Sequence, residues 1–162
     1  MPLESAWELL ARFSPRREGN SIWATVPTDE APSLLEALYL QGWSYLSAIS
    51  AVDWPQRGAL ELVYHLWSLE DKGFVHLKVE LDRTAPEFPS LAQLFGGSAQ
   101  VNEREIYELF GVDFPGNPAL GPLFLEGWEG PPPFRKDFDW RAYVRDAYYS
   151  EAREEDRAYF QD

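Results

Sequence analysis

The sequence contains no cysteine, which excludes disulfides, zinc knuckles, thiolate nucleophiles and cysteine-ligated iron–sulfur clusters within the chain. Histidine is nearly absent as well, with only His65 and His76, so an imidazole-rich metal centre has few places to form. Lysine is scarce: Lys72, Lys78 and Lys136 stand against eleven arginines. That bias favours planar forks suited to bidentate carboxylate pairing, or it reflects genomic composition. No apolar run approaches the length of a membrane span, and the opening "MPLESAWELLARFSPRREG" lacks a basic n-region and an apolar h-region. The chain is therefore expected to be cytoplasmic, without direct membrane insertion.

What is present is a strongly acidic, aromatic-rich chain of 162 residues. Its formal net charge is −13, and 45% of its residues are hydrophobic, with seven Trp. Such a composition buries a core and folds as one domain, with or without an appended arm. The acidic balance repels phosphate backbones, which argues against nucleic acid and leaves basic protein surfaces as partners.

Hydrophobic periodicity outlines an α+β fold, a small mixed or antiparallel sheet packed by helices in two layers. Leu3, Ala6, Trp7, Leu10 and Phe13 recur at helical spacing until Pro15. The polar "SPRREGN" reads as a connection and "SIWATVP" as a strand. A second helix follows, with Asp29 or Thr28 as its cap, Leu34, Leu35, Leu38 and Tyr39/Leu40 on its buried side, and Gly42 ending it. Three strand segments come next: "WSYLSAISAVDW", "ALELVYHLWSL" and "GFVHLKVELD". In the hairpin of the last two, Leu60, Leu62, Tyr64 and Leu66 match Val75, Leu77, Val79 and Leu81 on the inner face. The same register sets His65 opposite His76 on the outer face. With no third donor in reach, that pair reads as exposed neutral imidazoles rather than a metal site.

"PEFPSLAQLFGGS" reads as a short helix ended by Gly96-Gly97. A further helix, beginning near Ala99, carries Ile106, Leu109 and Phe110 on one side and Arg104–Glu108 as a surface ion pair. Glu103 and Glu105 point to different sides, so with Tyr107 they form a solvated helix face rather than an acid–base pair. Beyond it, "GVDFPGNPALGPLFLEGWEGPPPFRKDF" is too rich in proline and glycine for regular structure, yet carries Phe114, Phe124, Trp128, Phe134 and Phe138. It is an extended ordered loop that lies against something, and Arg135, Lys136 and Asp137 within it suit either a neighbour's carboxylates or a clamp to acidic groups of the same chain. The organisation is then an α+β domain over residues 1–114, a docking loop over 115–138 and a charged, helix-permissive arm over 139–162.

"EREIYELFGVDFPGNP" followed by "LEGWEGPPPFRKDF" resembles the 30-kilodalton (NuoC-like) subunit of respiratory complex I, both halves of whose motif occur in order. The resemblance covers residues 1 to about 138. It implies a non-catalytic assembly subunit of the hydrophilic arm of a complex I-like NADH:quinone oxidoreductase. Such a subunit docks on the large quinone-site subunit or its hydrogenase-like relative, beside an iron–sulfur subunit. The chain holds no cofactor of its own, iron–sulfur clusters or Ni-Fe being expected in the partners, and it sits peripheral to the cytoplasmic membrane in a hetero-oligomeric complex.

Carried onto this sequence, the motif marks Glu103, Arg104, Tyr107, Phe114, Trp128, Arg135, Lys136 and Asp137 as the partner interface. Asn117 stands where the family has His, Ala119 where it has Asp, and Gly121-Pro122 where it has a basic pair. These departures are consistent with a divergent branch, such as a membrane-bound energy-converting [NiFe] hydrogenase or formate hydrogenlyase. A soluble adaptor outside bioenergetics and a free-standing enzyme using Tyr107 are the competing readings; the latter lacks a nucleophile–base pair or phosphate-binding loop. If Arg135 and Lys136 face a partner, reversing both charges weakens assembly and leaves the melting temperature almost unchanged.

Overall fold

The computed structural model describes residues 2–148; the part of the expected arm beyond Tyr148 lies outside them. In chain order the elements are α1 (Pro2–Leu10), β1 (Arg16–Glu18), β2 (Ser21–Thr25), α2 (Ala31–Leu40), β3 (Tyr45–Trp54), β4 (Ala59–Ser68), β5 (Gly73–Asp82), α3 (Ala92–Phe95), α4 (Gly97–Phe110) and α5 (Trp140–Tyr148). The five strands form one mixed sheet in the order β1-β2-β5-β4-β3, so the fold is α+β. Within it β2 and β5 run parallel, and the other neighbours run antiparallel.

The β4–β5 register is the one the alternation dictates, from Leu60 opposite Leu81 to Leu66 opposite Val75. All eight inner residues are buried and pack with Leu10, Ile22, Leu35, Leu38 and Trp43 in one core. A one-residue slip would turn that whole set to solvent, which fixes the register. β3 forms the far edge of the sheet and carries a bulge between Leu46 and Ala48. α4 covers this edge: its Asn102 Oδ1 accepts from the Ile49 amide at 3.1 Å, and its Ser98 hydroxyl donates to the Leu46 carbonyl at 2.8 Å. Edge groups that would otherwise recruit another strand are thereby satisfied.

Several expectations are corrected. The polar stretch after Pro15 contains a strand, because Arg16–Glu18 hairpins onto β2 through Gly19, whose φ of 58° suits glycine. Neither Thr28 nor Asp29 caps α2. Its N-cap is Glu30, without a side-chain hydrogen bond, while the Thr28 hydroxyl donates to the Glu80 carbonyl at 2.8 Å. Leu40 is exposed, being past the stripe that Leu34, Leu35 and Leu38 bury.

His65 and His76 do face one another, with their Nδ1 atoms 2.7 Å apart and a proton between them, but the pair is not fully exposed: His76 is buried and His65 half-buried. The parallel pairing of β2 brings Trp23 onto His76 at 3.9 Å between ring centroids, and Phe74 stacks from the next pair along. Burial, then the neighbouring His65, lowers the His76 pKa to about 4. Among the described residues no group of three or more His, Asp or Glu is arranged to hold a metal ion, and no helix is long and apolar enough to cross a membrane.

Candidate partner interface

The segment after α4 is held to the domain at three points, each an acidic side chain paired with backbone or basic groups. The first is Glu103. It sits on the core side of α4 with 0% exposure and accepts from the Ser90 hydroxyl (2.6 Å), the Leu91 amide (2.8 Å) and the Asn117 side-chain amide (2.8 Å). Burial raises its pKa against the opposing pull of those donors. The same seam has backbone pairing, with Phe88 and Asp113, and Ser90 and Pro115, joined amide to carbonyl. This seats Phe88 and Phe114 in the core, both fully buried.

The second point is Glu108. Its carboxylate receives three consecutive amides, those of Leu123 (3.1 Å), Phe124 (2.8 Å) and Leu125 (2.8 Å). Burial opposes ionisation here too, but the three amides outweigh it and the pKa is lowered. One turn earlier, Arg104 donates to the Pro122 carbonyl at 2.6 Å. Adjacent side chains of α4 thus hold successive backbone groups of a loop that has few hydrogen bonds of its own.

The third point joins the ends of β3 and β5 to the last part of the loop. Asp53, near the end of β3 and 2% exposed, accepts from Arg83 Nε (2.6 Å) and Nη2 (2.9 Å) and from the Lys136 backbone amide (2.8 Å). Arg83 in turn donates to both oxygens of Asp137. The Arg83 fork holds the Asp53 and Asp137 carboxyls below their usual range, and these two acids raise the pKa of Arg83. Arg135 turns inward, donating to the carbonyls of Phe110 (2.6 Å) and Arg83 (2.9 Å). The Lys136 ammonium lies over the Trp54 ring at 5.2 Å.

The last part of the loop packs with α5. Trp128 donates its indole N–H to the Pro131 carbonyl at 2.9 Å, and its ring meets Phe138 and Tyr143. Gly130 allows that approach, since a Cβ there would stand 2.8 Å from the Tyr143 ring and 2.9 Å from Trp128.

The residues marked in the sequence therefore divide. Glu103 and Phe114 are interior and offer no surface, because the chain at 86–90 pairs with 113–115 and Asn117 folds back onto Glu103. Arg104 and Glu108 do not form the expected surface ion pair: each bonds loop backbone instead, Arg104 at the Pro122 carbonyl and Glu108 at the Leu123, Phe124 and Leu125 amides. Arg135 and Asp137 close an intramolecular clamp on distant residues: Arg135 donates to the Phe110 and Arg83 carbonyls, and Asp137 accepts from the Arg83 guanidinium that also holds Asp53. Tyr107 is exposed, Trp128 is half-buried, and Lys136 keeps an exposed side chain. Sequence reasoning missed Asp53, Arg83 and Glu108 as anchors. The available signal was Asp53, an acid at the end of an otherwise apolar and small-residue strand, which a buried strand tolerates only when paired.

Comparison with known proteins agrees with this architecture. The family described as the respiratory-chain NADH dehydrogenase 30 kDa subunit matches residues 24–144. The chain is 40% identical over 124 residues to an NADH-quinone oxidoreductase subunit of Moorella thermoacetica, covering 75% of this chain and 83% of the relative. It is 39% identical over 122 residues to an F(420)H(2) dehydrogenase subunit of Methanosarcina mazei, covering 73% and 75%. Among solved structures, a chain of the membrane-bound sulfane sulfur reductase, an archaeal respiratory membrane complex, superposes with a TM-score of 0.79 at 28% identity, covering 91% of each chain. With a family match running from the end of β2 through β3–β5, α4 and the loop that α4 holds, this chain belongs to the family of the 30 kDa subunit of respiratory-chain NADH dehydrogenase.

Proposed function

We propose that this chain is a non-catalytic docking subunit of the hydrophilic arm of a complex I-like respiratory complex, seated through its 115–138 loop on the large hydrogenase-like subunit that helps form the quinone site. One observation carries the reading: the loop is rigidly anchored, yet it presents Phe124 (62% exposed) and Phe134 (55% exposed) to solvent, with Tyr107 on the neighbouring helix also exposed. Large apolar side chains on a preordered loop bind without the entropy loss of ordering, and aromatics in such positions supply most of an interface's energy. The three acidic anchors supply the rigidity. Iron–sulfur clusters or other redox groups belong to the partners in this reading, and the chain reaches the membrane only through them.

A second reading concerns the electron donor. The likeness to proteins named for F(420)H(2) dehydrogenase and for a sulfane sulfur reductase favours a module that serves complexes with different donors and acceptors. An energy-converting hydrogenase is one such owner.

Mild-detergent purification of the tagged full chain from its native membranes, with mass spectrometry of the retained proteins, tests both. Recovery with a large hydrogenase-like subunit supports docking, and the accompanying NADH-oxidising, hydrogenase or other module identifies the complex. The double variant Phe124→Glu/Phe134→Glu should lose the large subunit while its melting temperature stays within about 2 °C of wild type. A lone monomer recovered from those membranes overturns the proposal.

A further inference from the structure

The outer face of the sheet brings together three polar side chains that no sequence motif links: Ser50 on β3, His65 on β4 and His76 on β5. Ser50 stands opposite Val63, diagonal to His65, and His65 stands opposite His76. The Ser50 hydroxyl and His65 Nε2 are 2.9 Å apart, and His65 Nδ1 lies 2.7 Å from His76 Nδ1. The sequence offers no nucleophile–base pair, but the antiparallel registers of β3, β4 and β5 build one.

When His65 Nδ1–H donates to His76 Nδ1, His65 Nε2 keeps its lone pair and accepts the Ser50 O–H. The reverse order, with His65 Nε2–H donating to Ser50, differs only in the tautomers of the two rings. Hydroxyl, imidazole and acceptor in line is the order by which enzymes of unrelated folds activate a serine, and it is recognised by geometry rather than by sequence position. The two ends of this chain differ. His76 is buried and fixed by stacking, with Trp23 at 3.9 Å and Phe74 at 5.3 Å between ring centroids, whereas Ser50 is exposed. The oriented end is thus interior and the nucleophilic end is open to a reagent.

The surroundings keep His65 basic. Trp23 faces the pair from β2, with Arg16 beyond it on β1; Phe74 and Lys78 flank His76 on β5; and Glu61 on β4 takes the Lys78 ammonium at 3.4 Å. Among the described residues no carboxylate bonds either imidazole. Burial holds both rings below the ordinary histidine pKa, so His65 is a neutral base at pH 7. Ser50 stands within β3 rather than at the head of a helix, so no helix N-terminus meets the oxygen that gains charge during attack. Only donors with a good leaving group suit such a site.

We propose that Ser50 is a reactive nucleophile toward activated acyl and phosphonyl groups, with His65 as its general base and His76 as the positioning residue. In the transfer, Ser50 Oγ bonds to the carbonyl carbon or phosphorus, its proton passes to His65 Nε2, and the leaving group departs with the electron pair of the bond that breaks. This chemistry uses no part of the 115–138 loop and is independent of the docking reading.

The test treats the purified full chain with a fluorophosphonate probe, which forms a stable serine phosphonate with loss of fluoride, and locates the adduct by tandem mass spectrometry. Ser50 should be labelled at least tenfold faster than the exposed Ser33 and Ser47 of the same molecule, and Ser50→Ala should abolish the fast adduct. His65→Gln should slow Ser50 labelling tenfold or more. His76→Phe keeps a ring against Trp23 but removes the acceptor; it should slow labelling and move the acid limb of the pH–rate profile to lower pH, because protonated His65 loses its partner. Thermal unfolding of each variant separates these effects from loss of fold. Labelling of Ser50 no faster than of Ser33 and Ser47, which wild type alone decides, overturns the proposal. Equal rates in folded His65→Gln or an unmoved profile in folded His76→Phe do so as well, and leave the three side chains a structural tie across the strands.

Discussion

Asp53→Asn is the sharpest test of how the loop is anchored. The wild-type carboxylate is 2% exposed and accepts three hydrogen bonds, two from Arg83 and one from the Lys136 amide. Asparagine keeps the volume and one oxygen, but it removes the charge and turns an amino group toward a guanidinium that cannot accept. Breaking a buried ion pair by removing one partner costs about 3–5 kcal/mol. Arg83 retains Asp137 and some solvent contact, which brings the expected loss to about 2–4 kcal/mol. For a chain of this size that is a fall in melting temperature of roughly 5–12 °C. Thermal unfolding followed by circular dichroism measures it. Asp137→Asn is the matched control: its carboxylate also bonds Arg83 but is largely exposed, so about 0.5 kcal/mol or less is expected. A double-mutant cycle with Arg83→Met should show strong coupling to Asp53 and weak coupling to Asp137. An Asp53→Asn protein that melts within a degree of wild type, or an Asp137→Asn protein that falls equally far, would refute the burial argument.

The remaining expectations concern the other anchors and the histidine pair. Arg135→Glu/Lys136→Glu should lower the melting temperature by several degrees, contrary to what a partner-facing basic pair implies, because Arg135 holds two carbonyls of its own chain. Glu108→Gln should speed amide hydrogen exchange at Leu123, Phe124 and Leu125 about tenfold or more while leaving β4 and β5 unaffected. Gly111→Ala should cost about 2 kcal/mol or more by denaturant unfolding, since φ there is +76° and a Cβ would stand 2.7 Å from Pro132 Cγ. The His76 pKa falls from 6.5 to about 4 on folding, so the unfolded chain takes up a proton first as pH drops. His76 stability is therefore intact above pH about 6.5 and is lost by roughly 3 kcal/mol as pH falls to about 4. Glu103, with its pKa raised, acts in the opposite sense, and comparing wild type with His76→Asn by urea unfolding from pH 7 to 4 isolates the histidine contribution.

The sheet was legible because its signal is redundant: four apolar pairs in β4 and β5 all specify one register, and any slip exposes all eight. The loop's anchors were not, and the reason is physical. Helical spacing says which side of α4 a residue occupies, but whether that side meets water depends on chain packed from elsewhere. Glu103 and Glu108 look like solvated acids by spacing, yet one is roofed by residues 86–90 and 113–117 and the other by 122–125. A carboxylate can accept several amides at once, so a proline- and glycine-rich segment that cannot pair its amides within itself needs such acceptors nearby. The acids of "NEREIYELF" and the loop that follows them are thus one structural unit, not a charged helix beside an aromatic tether. The same logic gives Asn117 its place. Its side chain donates to Glu103 and to the Gln100 carbonyl, while its own oxygen accepts the Ala119 amide. An imidazole donating to Glu103 could keep one or two of those contacts but not all three. Asn117 therefore couples its hold on Glu103 to two backbone ties and brings no second titratable group to the contact.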